Sequence, residues 1–418
     1  MAEVTMVGKR PSALAQVFGS RLYLGATIAM LLSGIGTSAA APQIVLYLMR
    51  ELETPLPIAG LFYLTSLAAP VAGYLIGSYS DRTGKRLGLF RLCAIAGFIG
   101  WAGIAVAWQA WMPFVISAVV LGFSGAAASQ LFAAVHDDLM RKPIANGEDV
   151  VAIIRMALTA GWVVGPVIGA WFAAEAGVRV MFWGTALCFL AQIIPLGTLN
   201  ADAKPAMRVG SAVSPGAVAS HWSAMGPLLI FTGLYILVYA GEAIKYGFLL
   251  LYMEEHLHLE PGLRGAIIGV QPLVELVIMP FSVMLARRTG ALWLMAVAAS
   301  LGVLANLCFA FWPSAAGMFV AQILMGGVWG IFAALGIIVA QRLLPNAVAT
   351  ASAIFMSAAA LSSALGGITG GLGVALVGLP LVFIFPAAYA AIAAVGLAVM
   401  AMREQRPARD TMRRPTGG

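Results

Sequence analysis

From about residue 22 to residue 402 the chain is a near-unbroken series of apolar stretches of roughly 20 residues, parted by short polar breaks. A helix of that length crosses the hydrocarbon core of a bilayer with every backbone polar group satisfied internally, so the pattern leaves little room for anything but a polytopic membrane protein. Twelve spans are predicted: 22–49, 58–79, 89–108, 112–134, 150–174 and 178–198, then 225–252, 263–286, 291–312, 314–341, 346–373 and 378–402. Barrel strands are excluded by segments such as LMAVAASLGVLANLCFA, Leu294 to Ala310, which is apolar on every face instead of alternating. Composition agrees, with 61% hydrophobic and only 10% charged residues.

A net charge of +7 raises the question of nucleic acid, and the placement of the basic residues answers it. If the amino terminus is cytoplasmic, 19 of the 24 Lys and Arg residues fall in inner segments or at inner span ends. Three lie on the outer side, Arg50, Arg179 and Arg264, and two lie within spans, Arg155 and Lys245. This bias predicts both termini inside and the lipid bilayer, not nucleic acid, as the large partner. Residues 1–20 lack an apolar region with a small-residue cleavage site, so the first span is expected to direct insertion. Cys93, Cys188 and Cys308 all fall in spans and read as small buried apolar residues.

The longest polar break, 199–222, is rich in Lys, Arg, Pro, Gly and Ser and reads as a cytoplasmic linker. It divides the chain into an amino-terminal six-helix bundle with its tail, 1–198, and a carboxy-terminal one, 223–418. Arg82-Thr83-Gly84 after span two is echoed by Arg288-Thr289-Gly290 after span eight, which supports parallel repeats. The expected fold class is an all-α membrane protein of twelve transmembrane helices in two six-helix bundles.

Between spans two and three stands Gly77-x-x-x-Asp81-Arg82-x-Gly84-Lys85-Arg86, a combination that resembles the loop signature of the major facilitator superfamily. Gly77 suits close helix approach, Gly84 a tight turn, and the mixed charges a lock between helix ends. Asp81 is placed to face the positive end of helix eleven. The resemblance implies a gating role for this loop, with Asp137 or Asp138 answering Lys85 or Arg86. His136 belongs to the same charge cluster. The second-half copy has Arg287 where the first has Asp81, so the gating role is expected of the first copy alone. In span five, Gly161-x-x-x-Gly165-Pro166-x-x-Gly169 resembles a signature common in antiporters of that superfamily, though a tightly packed glycine-rich helix explains the same residues. Ala41-Pro42, Gly60-Leu61-Phe62-Tyr63, Gln130-Leu131-Phe132-Ala133, and Arg155 ahead of the span-five motif are together similar to the bacterial sugar efflux transporters. What that resemblance implies is proton-driven export of lactose, glucose and related glycosides from the cytoplasm across the inner membrane; the chain is expected to work as a monomer, without cofactor or metal.

Ionisable residues deep in spans are costly and mark function by default. Arg155 in span five, Glu242 and Lys245 in span seven and Glu275 in span eight are such residues. Glu242, Lys245 and Tyr246 share a helical face with Tyr239, while Gln271 and Glu275 lie one turn apart. Glu275 is the expected proton carrier with Arg155 as partner across the bundle interface, and Glu242, nearer the outer end, is the other candidate. The competing reading is structural ion pairing, Glu242 with Lys245 or Glu275 with Arg155. For sugar, which offers polar edges and apolar patches, the expected ligands are Gln43 and Tyr47, Gln130, Trp162, Glu242, Lys245, Tyr246, Gln271 and Trp329. For Tyr47 and Trp329 core packing is the favoured reading.

A multidrug or amino-acid exporter would carry both signatures. A membrane-embedded enzyme fits less well, since the spans lack metal-ligand spacings, a nucleophile elbow and a nucleotide loop. A sensor would need a soluble signalling domain for which there is no room.

Overall fold

The computed structural model describes residues 12–141, 147–199 and 218–412. Among these, twelve helices are long and apolar enough to cross a membrane: α1 (Arg21–Arg50), α2 (Leu56–Thr83), α3 (Arg86–Ala105), α4 (Trp111–Arg141), α5 (Gly147–Glu175), α6 (Val178–Leu196), α7 (Met225–Glu255), α8 (Pro261–Thr289), α9 (Ala291–Phe311), α10 (Ala315–Leu343), α11 (Thr350–Val377) and α12 (Leu381–Glu404). Each overlaps its predicted span. Most of the expected linker, residues 200–217, and the tail beyond Met412 lie outside the described residues.

Local chemistry sets the ends. The Ser20 hydroxyl accepts from the Tyr23 amide at the start of α1, and that of Ser314 accepts from Gly317 at the start of α10, each satisfying an orphan donor. Gly84 ends α2 with φ 69°, and Gly290 separates α8 from α9 with φ 89°, conformations that a Cβ would strain. The echo between halves is thus a positive-φ glycine used twice, with different turns, since ψ is 3° at Gly84 and 136° at Gly290. We call the membrane face holding these turns the motif end and the opposite face the far end.

Three spans are irregular where the sequence reads as plain apolar helix. α1 breaks at residues 41–43, around Pro42. α2 runs as a tighter 3₁₀ helix over Leu61–Leu67, and α4 as a wider π turn over Ser117–Leu121.

Water provides no drive to pack helices already in lipid, so close contact relies on small residues. α5 lies on α1 through Gly161, Gly165 and Gly169: a Cβ on Gly161 would sit 2.6 Å from the Leu31 carbonyl oxygen, and one on Gly169 2.8 Å from Ala39 Cα. α11 repeats the arrangement on α7, where a Cβ on Gly366 would strike the Ala240 carbonyl. Both bundles therefore share one internal pairing.

The close contacts between bundles lie in the far halves of the spans. α5 meets α8 where Gly265 faces Pro166 and Val167 and where Gly269 faces Val163. α2 meets α11 where Gly60 touches Gly371 and Tyr63 abuts Gly367, and Phe248 of α7 fills the space beside Gly60. Toward the motif end the bundles part. A Cβ built on Gly73 or Gly77 of α2 would meet nothing within 4 Å. Gly77 is thus not at a close helix contact here, contrary to its expected use. Arg155 is exposed on α5, and a guanidinium does not face hydrocarbon, so it marks a polar space between the bundles.

Candidate functional site

α7, α8 and α10 bring Glu242, Lys245, Gln271 and Trp329 together inside the second bundle. One helical turn sets Lys245 Nζ 2.7 Å from Glu242 Oε2, and the same ammonium donates to the Gln271 side-chain carbonyl. Trp329 Nε1 donates to Glu242 Oε1 at 2.5 Å, and Gln271 Nε2 donates weakly to that oxygen at 3.4 Å. All four side chains are buried. The structural ion pair considered for Glu242 and Lys245 is therefore present, and neither charge lacks a counterpart. Such satisfaction is what allows charged groups to persist in a low-dielectric interior.

Aromatic rings wall the cluster. Tyr239 meets Trp329 edge to face with centroids 4.7 Å apart, Tyr235 stacks on Tyr239 at 5.9 Å, and Lys245 Nζ lies 4.5 Å from the centroid of the Tyr246 ring. Trp162 of α5 reaches across the interface to Tyr246, with centroids 5.9 Å apart. Glu275 is half-buried one turn beyond Gln271 and lies in the field of Glu242, Lys245 and Arg155. Among the described residues Arg155 and Glu275 do not form an ion pair, so the two stand apart in this state.

Two expected ligands are placed elsewhere. The Tyr47 hydroxyl donates to the carbonyls of Ile104 on α3 and Ala107 just beyond its end, at 2.7 and 3.2 Å, and its ring packs on Phe182 under the Arg179 guanidinium. This buried pin inside the first bundle has no free hydroxyl to offer. Gln130 accepts from Ser80 at 2.5 Å and so joins the loop network at the motif end. Gln43 is buried, and among the described residues its side-chain oxygen has no hydrogen-bond partner.

In that network Arg86 is the hub. It donates to Asp137 Oδ2 at 3.0 Å, Asp81 Oδ1 at 2.7 Å and Ser80 Oγ at 2.8 Å. Asp138 instead accepts from the Tyr23 hydroxyl at 2.9 Å. Of the pairings expected for Asp137 and Asp138 with Lys85 and Arg86, the one formed is Arg86 with Asp137. Asp81 is 63% exposed on its side chain and pairs within its own bundle.

The far end is tied differently. Arg50 of α1 lies 2.6 Å from Glu254 of α7, whose second oxygen lies 2.5 Å from Arg264 of α8, and Glu255 lies 3.6 Å from Arg50. Within the first bundle, a cavity of about 260 Å³ lies between α1, α3, α4 and α6, lined by Ser33, Thr37, Ser124, Trp101 and Phe189.

Residues 26–244 and 231–415 match the family profile of the Major Facilitator Superfamily. The chain belongs to that superfamily. Among relatives of this facilitator, a protein of Deinococcus radiodurans provisionally named a sugar efflux transporter is 28% identical over 394 residues, covering 92% of this chain and 98% of its own. Sugar efflux transporter A of Dickeya chrysanthemi is 26% identical, covering 78% and 81%. Sugar efflux transporter A of Escherichia coli is 23% identical, covering 84% and 88%. In fold, the facilitator is similar to a mutant of the nucleoside transporter NupG, with TM-score 0.77 at 17% identity over 91% of this chain and 99% of that one. A D-xylose-proton symporter gives 0.68 at 17% identity over 90% and 96%.

This facilitator is a multi-pass transporter, not an enzyme. Several of its polar groups escaped the sequence reading. Arg50, Arg179 and Arg264 were the three exceptions to the inner-side bias of basic charge, and each is now found beside a carboxylate, Arg179 with Glu51 at 3.2 Å. That exception was the available signal. Ser33, Thr37 and Ser124 gave none, because small hydroxylated residues pack in membrane helices regardless of function.

Proposed function

We propose that this chain exports sugars or glycosides from a bacterial cell in exchange for protons, as a monomer working by alternating access across the inner membrane. The names of its relatives support the substrate class. The bias of basic residues puts the motif end and both termini in the cytoplasm. In that orientation the molecule is closed to the outside and parted toward the inside, which is one of the two states an exporter alternates between.

One observation carries the reading: a satisfied polar cluster, Glu242, Lys245, Gln271 and Trp329, lies beside the bundle interface with Glu275 and Arg155 flanking it. Among the described residues Glu275 has no direct partner, so binding or losing a proton there disturbs no hydrogen bond among them and changes the field felt by Lys245 and Arg155. Trp162 and Tyr246, in contact across the interface, let the presence of a ligand be felt by both bundles. The loop network around Arg86 is the inner gate, poised to engage α11 when the inner side closes.

Cells overproducing the protein should retain less radiolabelled thiogalactoside than controls, with the difference abolished by a protonophore. Normal retention accompanied by raised resistance to dyes or drugs would replace sugar with a multidrug substrate, and raised tolerance of amino-acid analogues would replace it with an amino acid.

A further inference from the structure

At the closed far end a tyrosine of one bundle is seated in the other. A Cβ on Gly247 of α7 would lie 3.2 Å from Tyr63 Cε2 and 4.0 Å from its hydroxyl oxygen, with Val45 of α1 at 3.8 Å. A Cβ on Gly367 of α11 would lie 3.1 Å from Tyr63 Cβ, beside the Gly60 carbonyl oxygen and the Leu64 amide nitrogen. The space that each of these second-bundle glycines leaves open is therefore taken by atoms of the first bundle, with Tyr63 common to both. Tyr63 is itself anchored to the first bundle, since neighbouring Phe62 packs edge to face on Phe114 of α4 at 5.7 Å and the Thr65 and Ser117 hydroxyls lie 2.8 Å apart. These α2 residues lie in its 3₁₀ stretch, whose poorer hydrogen-bond geometry suits a hinge.

The seat accommodates the ring and not the hydroxyl. Tyr63 Oη is buried and, among the described residues, has no hydrogen-bond partner. Buried polar groups ordinarily find partners, and one left without loses its hydration for nothing in return. Tyr47 shows the usual solution, a hydroxyl donated to two carbonyls. At Tyr63 the unfavourable burial belongs to one conformation. The ring is carried by α2 and its seat by α7 and α11, so parting the bundles at the far end uncovers the hydroxyl to water. Gly247 follows Lys245 by two residues, about 3 Å along α7, whereas Glu254 of the outer ion pair is about 14 Å along. Tyr63 is thus the layer of the far closure next to the charged cluster.

We infer that Tyr63 is a self-releasing plug of the far gate: its ring fills the closure beside the charged cluster, and its unpartnered hydroxyl destabilises the closed state so that closure reverses. The inference rests on the alternating-access reading. The two parts of the side chain act in opposite senses. Contact of the ring with the glycine seat holds the gate shut, as close packing does between helices in lipid. The hydroxyl counts against the closed state alone, because in the open state water satisfies it, and a group that differs between two states shifts their ratio by that difference. A phenylalanine in this place would keep the first effect and lose the second.

The test compares Tyr63→Phe with the wild type, as full chains in detergent, by thermal melting and by the distance between spin labels at residues 53 and 260. The ratio of far-closed to far-open protein should rise about five- to a hundredfold. Where the wild type is mostly closed, the gain is read as a higher melting temperature; where it is mostly open, as a shorter distance. Tyr47→Phe, which removes a satisfied hydroxyl, should instead melt below the wild type. Gly247→Val, which crowds the seat, should lengthen the distance, and should do so far less in a Tyr63→Ala background. Tyr63→Phe equal to the wild type in both measurements, or melting below it, overturns the plug by showing that the hydroxyl is satisfied in the closed state. An equal effect of Gly247→Val in both backgrounds overturns the seat. One unbroadened distance in every variant, Gly247→Val included, overturns alternating access itself, and the plug with it.

Discussion

Arg50 and Glu254, at 2.6 Å, join the two bundles across the far end, and Glu254 is simultaneously held at 2.5 Å by Arg264 of its own bundle. A carboxylate shared in this way keeps one partner when the bundles separate, so opening the far end leaves no buried charge orphaned. At the motif end the reverse holds, because Arg86, Asp81 and Asp137 pair inside the first bundle while the bundles stand apart.

Removing the latch should favour opening. Arg50→Gln is expected to shift the protein toward the state open at the far end, by at most about 1 kcal/mol because the pair is partly exposed. Spin labels at residues 53 and 260 would report the change as a longer or broader distance distribution. An unchanged distribution would assign the closed state to the glycine contacts alone.

The ion pair in α7 should be costly to halve and cheap to replace. Lys245→Met or Glu242→Gln alone leaves a buried charge or its donors unpaired, for an expected loss of about 3–5 kcal/mol in stability. Glu242→Gln combined with Lys245→Met should recover a large part of it. Thermal melts of the three variants in detergent give the cycle, and additive losses would show the two residues to be independent.

Proton coupling is expected to depend on Glu275. Glu275→Gln, fixed in the neutral form, should abolish efflux driven by a pH gradient in loaded vesicles while substrate exchange survives. Acidifying the outside should accelerate wild-type efflux and leave the variant's rate unaltered. Retained pH-driven efflux in Glu275→Gln would move the coupling role to Glu242.

Gly165 and Gly77 should separate packing from motion. Gly165→Leu is expected to prevent assembly, since its Cβ would strike Ser38 and lie 2.6 Å from the Ile35 carbonyl oxygen. Gly77→Leu faces open space in this state and should leave the melting temperature near wild type, yet arrest transport by blocking closure at the motif end. Full activity in Gly77→Leu would show that no helix approaches there during the cycle.

Twelve helices were readable because span length and the lack of charge are written directly in residue order. Lys245, Glu242 and Gln271 were readable for the related reason that such groups are conspicuous in an apolar background. Tyr47 and Gln130 show where that reasoning stops. Both are polar residues in predicted spans and expected ligands, but Tyr47 meets carbonyls freed at the end of α3, and Gln130 meets a serine fifty residues away. Those partners exist only after folding. The π turn in α4 left no mark either, as neither proline nor a charged residue accompanies Ser117–Leu121.

The spacing of Glu242 and Lys245 also bears on how the chain is made. Their partners Gln271 and Trp329 sit on α8 and α10, which leave the ribosome later than α7. A carboxylate and an ammonium one turn apart neutralise each other within the helix that carries them, so α7 can be released into lipid as a self-contained unit. Splitting the pair between two helices would instead expose a lone charge to the bilayer until the second arrived.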